Sequence, residues 1–223
     1  MKSKYLRVIY LLVALQSYFL QAQTINWNAI DKNKNLLHVF VGADHATVYG
    51  IGYGHKLNTK LPIILATTVT VPFGEKTVDD FKVKIGGQSS IYKYKNFFGA
   101  VSLQSIYRRY STEYVVIQNF GSDVKGTFGF YKPKWFTALE VGFDKAIVSH
   151  FKHTQRYRDE VYNDVTDGWY QPSTGGNFYY GFQAGFNFNK NQVALNLGKI
   201  VSQDFSTKPS VPFYLSIGYM LHL

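Results

Sequence analysis

From Leu36 onward, large apolar residues alternate with small or polar ones at a period of two, the spacing that sends successive side chains to opposite faces of a strand. In the last segment Val211, Phe213, Leu215, Ile217, Tyr219, Leu221 and Leu223 alternate with Pro212, Tyr214, Ser216, Gly218, Met220 and His222. Phe178, Tyr180, Phe182, Phe186 and Phe188 stand against Tyr179, Gly181, Gln183, Gly185 and Asn187. Trp135, Thr137, Leu139, Val141 and Phe143 stand against Phe136, Ala138, Glu140, Gly142 and Asp144. Similar alternation predicts strands over 36–43, 47–57, 61–71, 81–93, 97–108, 124–131, 134–144, 176–188, 192–201 and 211–223.

The connections sort by length. Tight turns fall at Asn58-Thr59-Lys60, Tyr94-Lys95-Asn96, Lys132-Pro133-Lys134 and Asn189-Lys190-Asn191, and between them fall the longer links at 72–80, 109–123, 145–175 and 202–210, with a short one at Asp44 to Ala46. Membrane barrels have this rhythm, with short turns on the periplasmic side and longer loops outside. The pattern predicts an all-β, antiparallel up-and-down transmembrane β-barrel of ten strands, with eight or twelve as alternatives, occupying 36–223 and carrying a long extracellular loop at 145–175. A water-soluble barrel shares the period but buries the apolar face. Here the non-apolar face is mostly Gly, Ala, Ser, Thr, Asn and Gln, which suits a crowded interior better than a solvated exterior. The 17% aromatic content then supplies girdles at the two membrane interfaces.

Ahead of the barrel, Lys2, Lys4 and Arg7 precede the apolar run Val8–Leu15 and the junction Gln21-Ala22-Gln23, a secretory signal pattern. Cleavage after Ala22 leaves a periplasmic N-terminal segment, 23–35, and lowers the net charge from +10 to +7, because residues 1–22 hold three cations and no carboxylate. The chain has no cysteine, which removes disulfide scaffolds and thiolate metal sites.

The signal with its Ala22-Gln23 junction, the strand-and-turn rhythm and the alternating final strand together resemble small bacterial outer-membrane β-barrel proteins. That resemblance implies export, insertion by the barrel-assembly machinery, an integral outer-membrane location with both termini periplasmic, and contact with outer-membrane lipid and lipopolysaccharide. The family commonly ends in Phe, whereas this chain ends in Leu223.

Candidate functional residues follow from the same register. His38, Lys82, Lys84, Glu140, Gln183 and His222 fall on the inner face and predict a polar network in the lumen, with Glu140 opposite Lys82 or Lys84, since buried charges need partners. His38 and His222 lie on the first and last strands, but no further ligand completes a metal site, so no metal or cofactor is expected. Arg108 and Arg109 are placed to meet lipopolysaccharide phosphates. In the 145–175 loop a short helix is expected within 149–161, and Arg156, Arg158, Trp169 and Tyr170 offer a partner-binding surface. The acids from Asp159 to Asp167 match no EF-hand spacing. Ser149, His150 and Asp144 include the residue types of a nucleophilic triad, and Asp123, Asp144, His45 and His150 those of a surface hydrolase. Ser149 and His150 point to opposite faces of an extended strand, so no catalytic residue is assigned. No nucleic-acid motif is present, and the charge is spread rather than striped.

The resulting functional expectation is a structural or surface-interaction barrel that binds an envelope protein partner or lipopolysaccharide through its outside loops. The alternatives are a lipid A-modifying or proteolytic barrel enzyme and a narrow solute channel; open aqueous pores appear at larger strand numbers.

Overall fold

A computed structural model describes residues 24–30, 34–43, 47–73, 79–173, 175–209 and 211–223. The expected signal peptide, its cleavage point and His45 lie outside the described residues. The described strands are β1 (Asn35–Ala43), β2 (Thr47–Lys56), β3 (Ile63–Pro72), β4 (Asp80–Tyr94), β5 (Phe97–Ser111), β6 (Val115–Tyr131), β7 (Trp135–His153), β8 (Gly168–Tyr170), β9 (Gly176–Phe188), β10 (Asn191–Ser202) and β11 (Phe213–His222). A short helix, α1, spans Gln155–Glu160.

All neighbours pair antiparallel, β11 returns to β1, and β6 joins β7 to close the cylinder, so ten strands form the barrel while β8 pairs only with β7. The alternation sets the faces as expected. Along β7 Leu139 and Val141 are 66% and 60% exposed, while Glu140 between them is 3% exposed. A water-soluble protein does not expose so long a band of Leu, Ile, Val and Phe; hydrocarbon is the solvent that this surface fits.

Two outward aromatic belts frame the band. On the turn side, Phe97 lies 6.1 Å from Phe128, and Phe130 lies 5.6 Å from Trp135. On the loop side Phe81, Tyr107, Phe120 and Trp169 form successive ring contacts of 5.9, 5.0 and 5.9 Å. The step from Phe130 to Phe120 along β6 covers roughly 33 Å of strand, about 25 Å along the barrel axis at the usual tilt, which matches the apolar height of an outer-membrane barrel.

The strand lengths bring the main departure from the sequence reading. Residues 109–123, expected as a loop, are largely strand: β5 runs on to Ser111 and β6 begins at Val115. Likewise β7 continues to His153, so the first part of the expected 145–175 loop is sheet. A spanning strand needs about ten residues, and β7 has 19, so β5, β6 and β7 rise beyond the bilayer as a paired extension. A β-bulge between Phe120 and Gly121 lets the sheet bend where it leaves the band.

Candidate functional site

The lumen is filled by three tiers. At the turn end, the segment ahead of β1 does not hang free: residues 24–30 enter the barrel, where Ile25, Trp27 and Ile30 pack with Leu36, Ile64, Phe98, Tyr131, Phe136 and Met220. Polar groups fix the segment in register. The Asn26 backbone N–H donates to Gln192 Oε1 at 3.0 Å, Gln192 Nε2 donates back to the Thr24 carbonyl at 2.5 Å, and Thr24 Oγ1 donates to Asn196 at 2.8 Å. Asn26 Nδ2 also donates to the Lys132 carbonyl and to Asn187, each at 2.9 Å.

Above it lies a tier centred on Glu140. Lys125 Nζ stands 3.2 Å from Glu140 Oε2, Gln183 Nε2 donates to the same oxygen at 2.5 Å, and the Tyr214 hydroxyl donates to Oε1 at 2.5 Å. Lys125 and Glu140 are 4% and 3% exposed; a charge buried this deeply is tolerable only with several partners. The third tier joins the Lys84 ammonium to Asp123, which also accepts from the Tyr179 hydroxyl at 2.7 Å. Asn177 donates to Asp144 beside it at 3.2 Å. The internal cavities between these layers are about 20 and 10 Å³, room for single waters at most.

Inward aromatics close the section by lying across glycines on the neighbouring strand. Tyr179 faces Gly142, Phe136 faces Gly185 and Tyr214 faces Gly198 in register. A Cβ on Gly142 would stand 2.2 Å from the Tyr179 ring, and one on Gly185 2.2 Å from the Phe136 ring. An inward side chain at those glycines would push the aromatic off the sheet.

His38, Lys82, Lys84, Glu140, Gln183 and His222 are all buried on the inner face. Among them Gln183 donates to Glu140, and among the described residues Lys84 pairs with Asp123 and Glu140 with Lys125, whereas Glu140 was expected opposite Lys82 or Lys84. Their levels differ: Glu140 is opposite Thr127 on β6, and Asp123 is opposite Asp144. His38 and His222 sit one inward step apart at the seam, opposite Met220 and Leu36, and His38 stacks on Phe40 at 5.0 Å. Among the described residues no three of His, Asp and Glu gather as metal ligands. The sequence reading placed Asp123 in a loop, as a hydrolase candidate and not as a lumen residue, and passed over Lys125, Tyr179 and Tyr214, although alternation places all three on the inner face.

At the loop end, Arg108 points inward and grips Asp80 with both arms, Nε to Oδ1 at 3.0 Å and Nη2 to Oδ2 at 2.7 Å. Its fork is therefore occupied inside the barrel instead of facing lipid phosphates as expected. Arg109, on the outward face, is 3.7 Å from Asp79. In the 154–175 connection, Thr154 caps α1 by accepting from the Tyr157 N–H. Arg156 binds Glu113 and Glu160 at 2.5 and 2.9 Å, and Arg158 binds Asp167 at 3.1 Å and the Val165 carbonyl at 2.6 Å. Hydrogen bonds from the His153 backbone and ring hold the Asp167 carboxyl below the usual range. Arg156 ties the connection to the extension through Glu113, while Arg158 braces the connection internally. Trp169 faces outward against Phe120 and His150, within the loop-side belt, and Tyr170 faces the other way against Phe151. Ser149 is buried on the inner side while the His150 ring lies 4.8 Å from Trp169 on the outer side, so the two do not form a catalytic pair.

No family model and no curated protein matches the sequence. Among solved structures the chain is similar to a KdgM porin, with 8% identity over 84% of this chain and 99% of that chain and a TM-score of 0.42. The closed antiparallel ten-stranded barrel is the architecture that the sequence predicts.

Proposed function

We propose that the chain is an integral outer-membrane barrel with a structural and surface-interaction role, holding the β5–β7 extension and the 154–175 connection above the membrane for an envelope protein or lipopolysaccharide. The observation that carries this reading is the filled lumen. Residues 24–30, the Glu140 tier and the Asp123 tier each cross the section, which leaves the outer wall and the extension as the surfaces free to act. The signal pattern supports export, and the placement of short turns supports periplasmic termini. Arg156 and Arg158 serve to shape the connection and its docking on the extension, and exposed Tyr162 and Tyr170 are the contact groups for a partner.

A narrow channel is the second reading, favoured by the polar inner wall and by a closing segment held through hydrogen bonds and packing alone. Planar-bilayer recording separates the two. A structural barrel gives no steady openings at high voltage, whereas reproducible unitary steps would replace this reading with the channel.

A further inference from the structure

On the inner face of the extension lies a cleft of about 530 Å³, walled by Phe151, His153, Tyr162, Asp164, Tyr170 and Pro172. Its volume is in the range of ligand sites. Phe151 and Tyr170 stand on the Ser149 side of the β7–β8 ladder, the face opposite Trp169 and its belt, so they look away from the acyl chains. Their rings meet edge to face at 5.4 Å, and Tyr162 adds a third ring that is 59% exposed.

Charge at this tip runs against the rest of the molecule. The whole chain carries +10, yet Glu113 with residues 154–175 holds five carboxylates against two cations, Arg156 and Arg158. Both cations are occupied, Arg156 by Glu113 and Glu160 and Arg158 by Asp167. The His153 ring in the cleft wall is also turned to Asp167. Of the two carboxylates left over, Asp159 accepts from Gln155 at 2.9 Å, and no hydrogen bond or ion pair joins Asp164 to another described residue. The unmatched carboxylate is thus the one in the cleft, beside three rings whose faces are electronegative. Ring faces with a carboxylate at their edge select an organic cation. The extension already holds one in this way: the Arg156 guanidinium lies 5.4 Å from the Tyr114 ring while Glu113 and Glu160 bind its nitrogens.

We infer that this cleft receives an arginine side chain from the protein partner of the extension, its guanidinium stacked on the tyrosine rings and forked to Asp164. Planarity and weak hydration favour arginine over lysine at such a site. The inference deepens the surface-interaction reading above and rests on it.

Calorimetric titration of the full barrel in an uncharged detergent tests it. The probes are an acetyl-Gly-Arg-Gly-amide peptide, the same peptide with citrulline as the neutral isostere of arginine, and free ethylguanidinium. Asp164→Asn removes the cleft carboxylate, Tyr162→Leu removes a ring, and Asp159→Asn removes an equal charge outside the cleft as the control. The expected result is binding of the arginine peptide, with the citrulline peptide about tenfold weaker. Asp164→Asn and Tyr162→Leu should each lose roughly three- to fivefold, and Asp159→Asn should stay within about twofold of the wild type. Equal binding of the two peptides, equal losses in Asp164→Asn and Asp159→Asn, or no binding by the wild type at millimolar peptide would overturn it. Ethylguanidinium binding tighter than the peptide would also overturn it, by assigning the cleft to a free small cation. Heat-modifiable gel migration and planar-bilayer recording on the same preparation test the underlying reading separately: an unfolded or conducting barrel sinks that reading whatever the titration gives.

Discussion

The Tyr214 hydroxyl reaches Glu140 at 2.5 Å across two intervening strands, and Gly198 and Gly181, in register between them, leave its path clear. A Cβ on Gly198 would lie 2.3 Å from the Tyr180 carbonyl and 2.5 Å from the Tyr214 ring. Gly198→Ala is therefore expected to lower the unfolding free energy by about 1–3 kcal/mol through overpacking. Tyr214→Phe, which removes one donor from a buried carboxylate, should cost about 1–3 kcal/mol. Urea unfolding in detergent micelles, followed by tryptophan fluorescence, measures both; unchanged midpoints would mean that Tyr214 does not cross the lumen.

The Lys125–Glu140 pair should behave as a buried ion pair whose partners protect each other. Lys125→Met strands the Glu140 carboxylate and is expected to cost about 3–5 kcal/mol, while Lys125→Met with Glu140→Gln should recover much of that loss. A double-mutant cycle gives the coupling. Additive losses would show that the two groups are not neighbours.

Residues 24–30 contribute packing at the turn end and do not act as the sole stopper. Trp27→Ala should destabilise the barrel by about 3–5 kcal/mol, the range for truncating a large buried aromatic. Deleting 24–30 should leave a folded barrel that is still silent in planar bilayers, because Tyr214–Glu140 and Tyr179–Asp123 still span the section. Steady conductance after the deletion would identify that segment as the gate.

The barrel strands were legible because lipid on one side and packing on the other impose a strict period of two, as in Trp135–Phe143 and Phe178–Phe188. The extension was not, because Tyr110, Gln118 and Lys152 stand above the bilayer, where no apolar solvent enforces alternation. Residues 24–30 escaped notice for a related reason: a plug without regular structure leaves no period. The inner-face residues could be read as inward, but their partners could not. Whether Glu140 meets Lys84 or Lys125 depends on the inter-strand stagger, which only the assembled register fixes.

The Asp167 carboxyl accepts from the His153 N–H and ring, with Arg158 close by, and its pKa is held below the usual value. A depressed carboxylate contributes stability that is fully present above its unfolded pKa, near 3.9, and lost as the pH falls through the folded value. Hydrogen exchange over 161–170 should therefore match at pH 7 and pH 5 after correction for intrinsic rates. Protection should fall only below about pH 4, and Asp167→Asn should remove that dependence. Loss of protection already between pH 7 and pH 5 would assign the docking of this connection to another group.

The chain has no native cysteine, so single spin labels at Val141 and Ala138 can report on the two faces of β7 without background. In liposomes the Val141 label should relax readily with oxygen and poorly with a water-soluble nickel reagent, and the Ala138 label should be shielded from both, as a lipid-facing wall around a packed lumen requires. A Val141 label reached by nickel, or an Ala138 label reached freely by it, would contradict a sealed barrel set in a membrane.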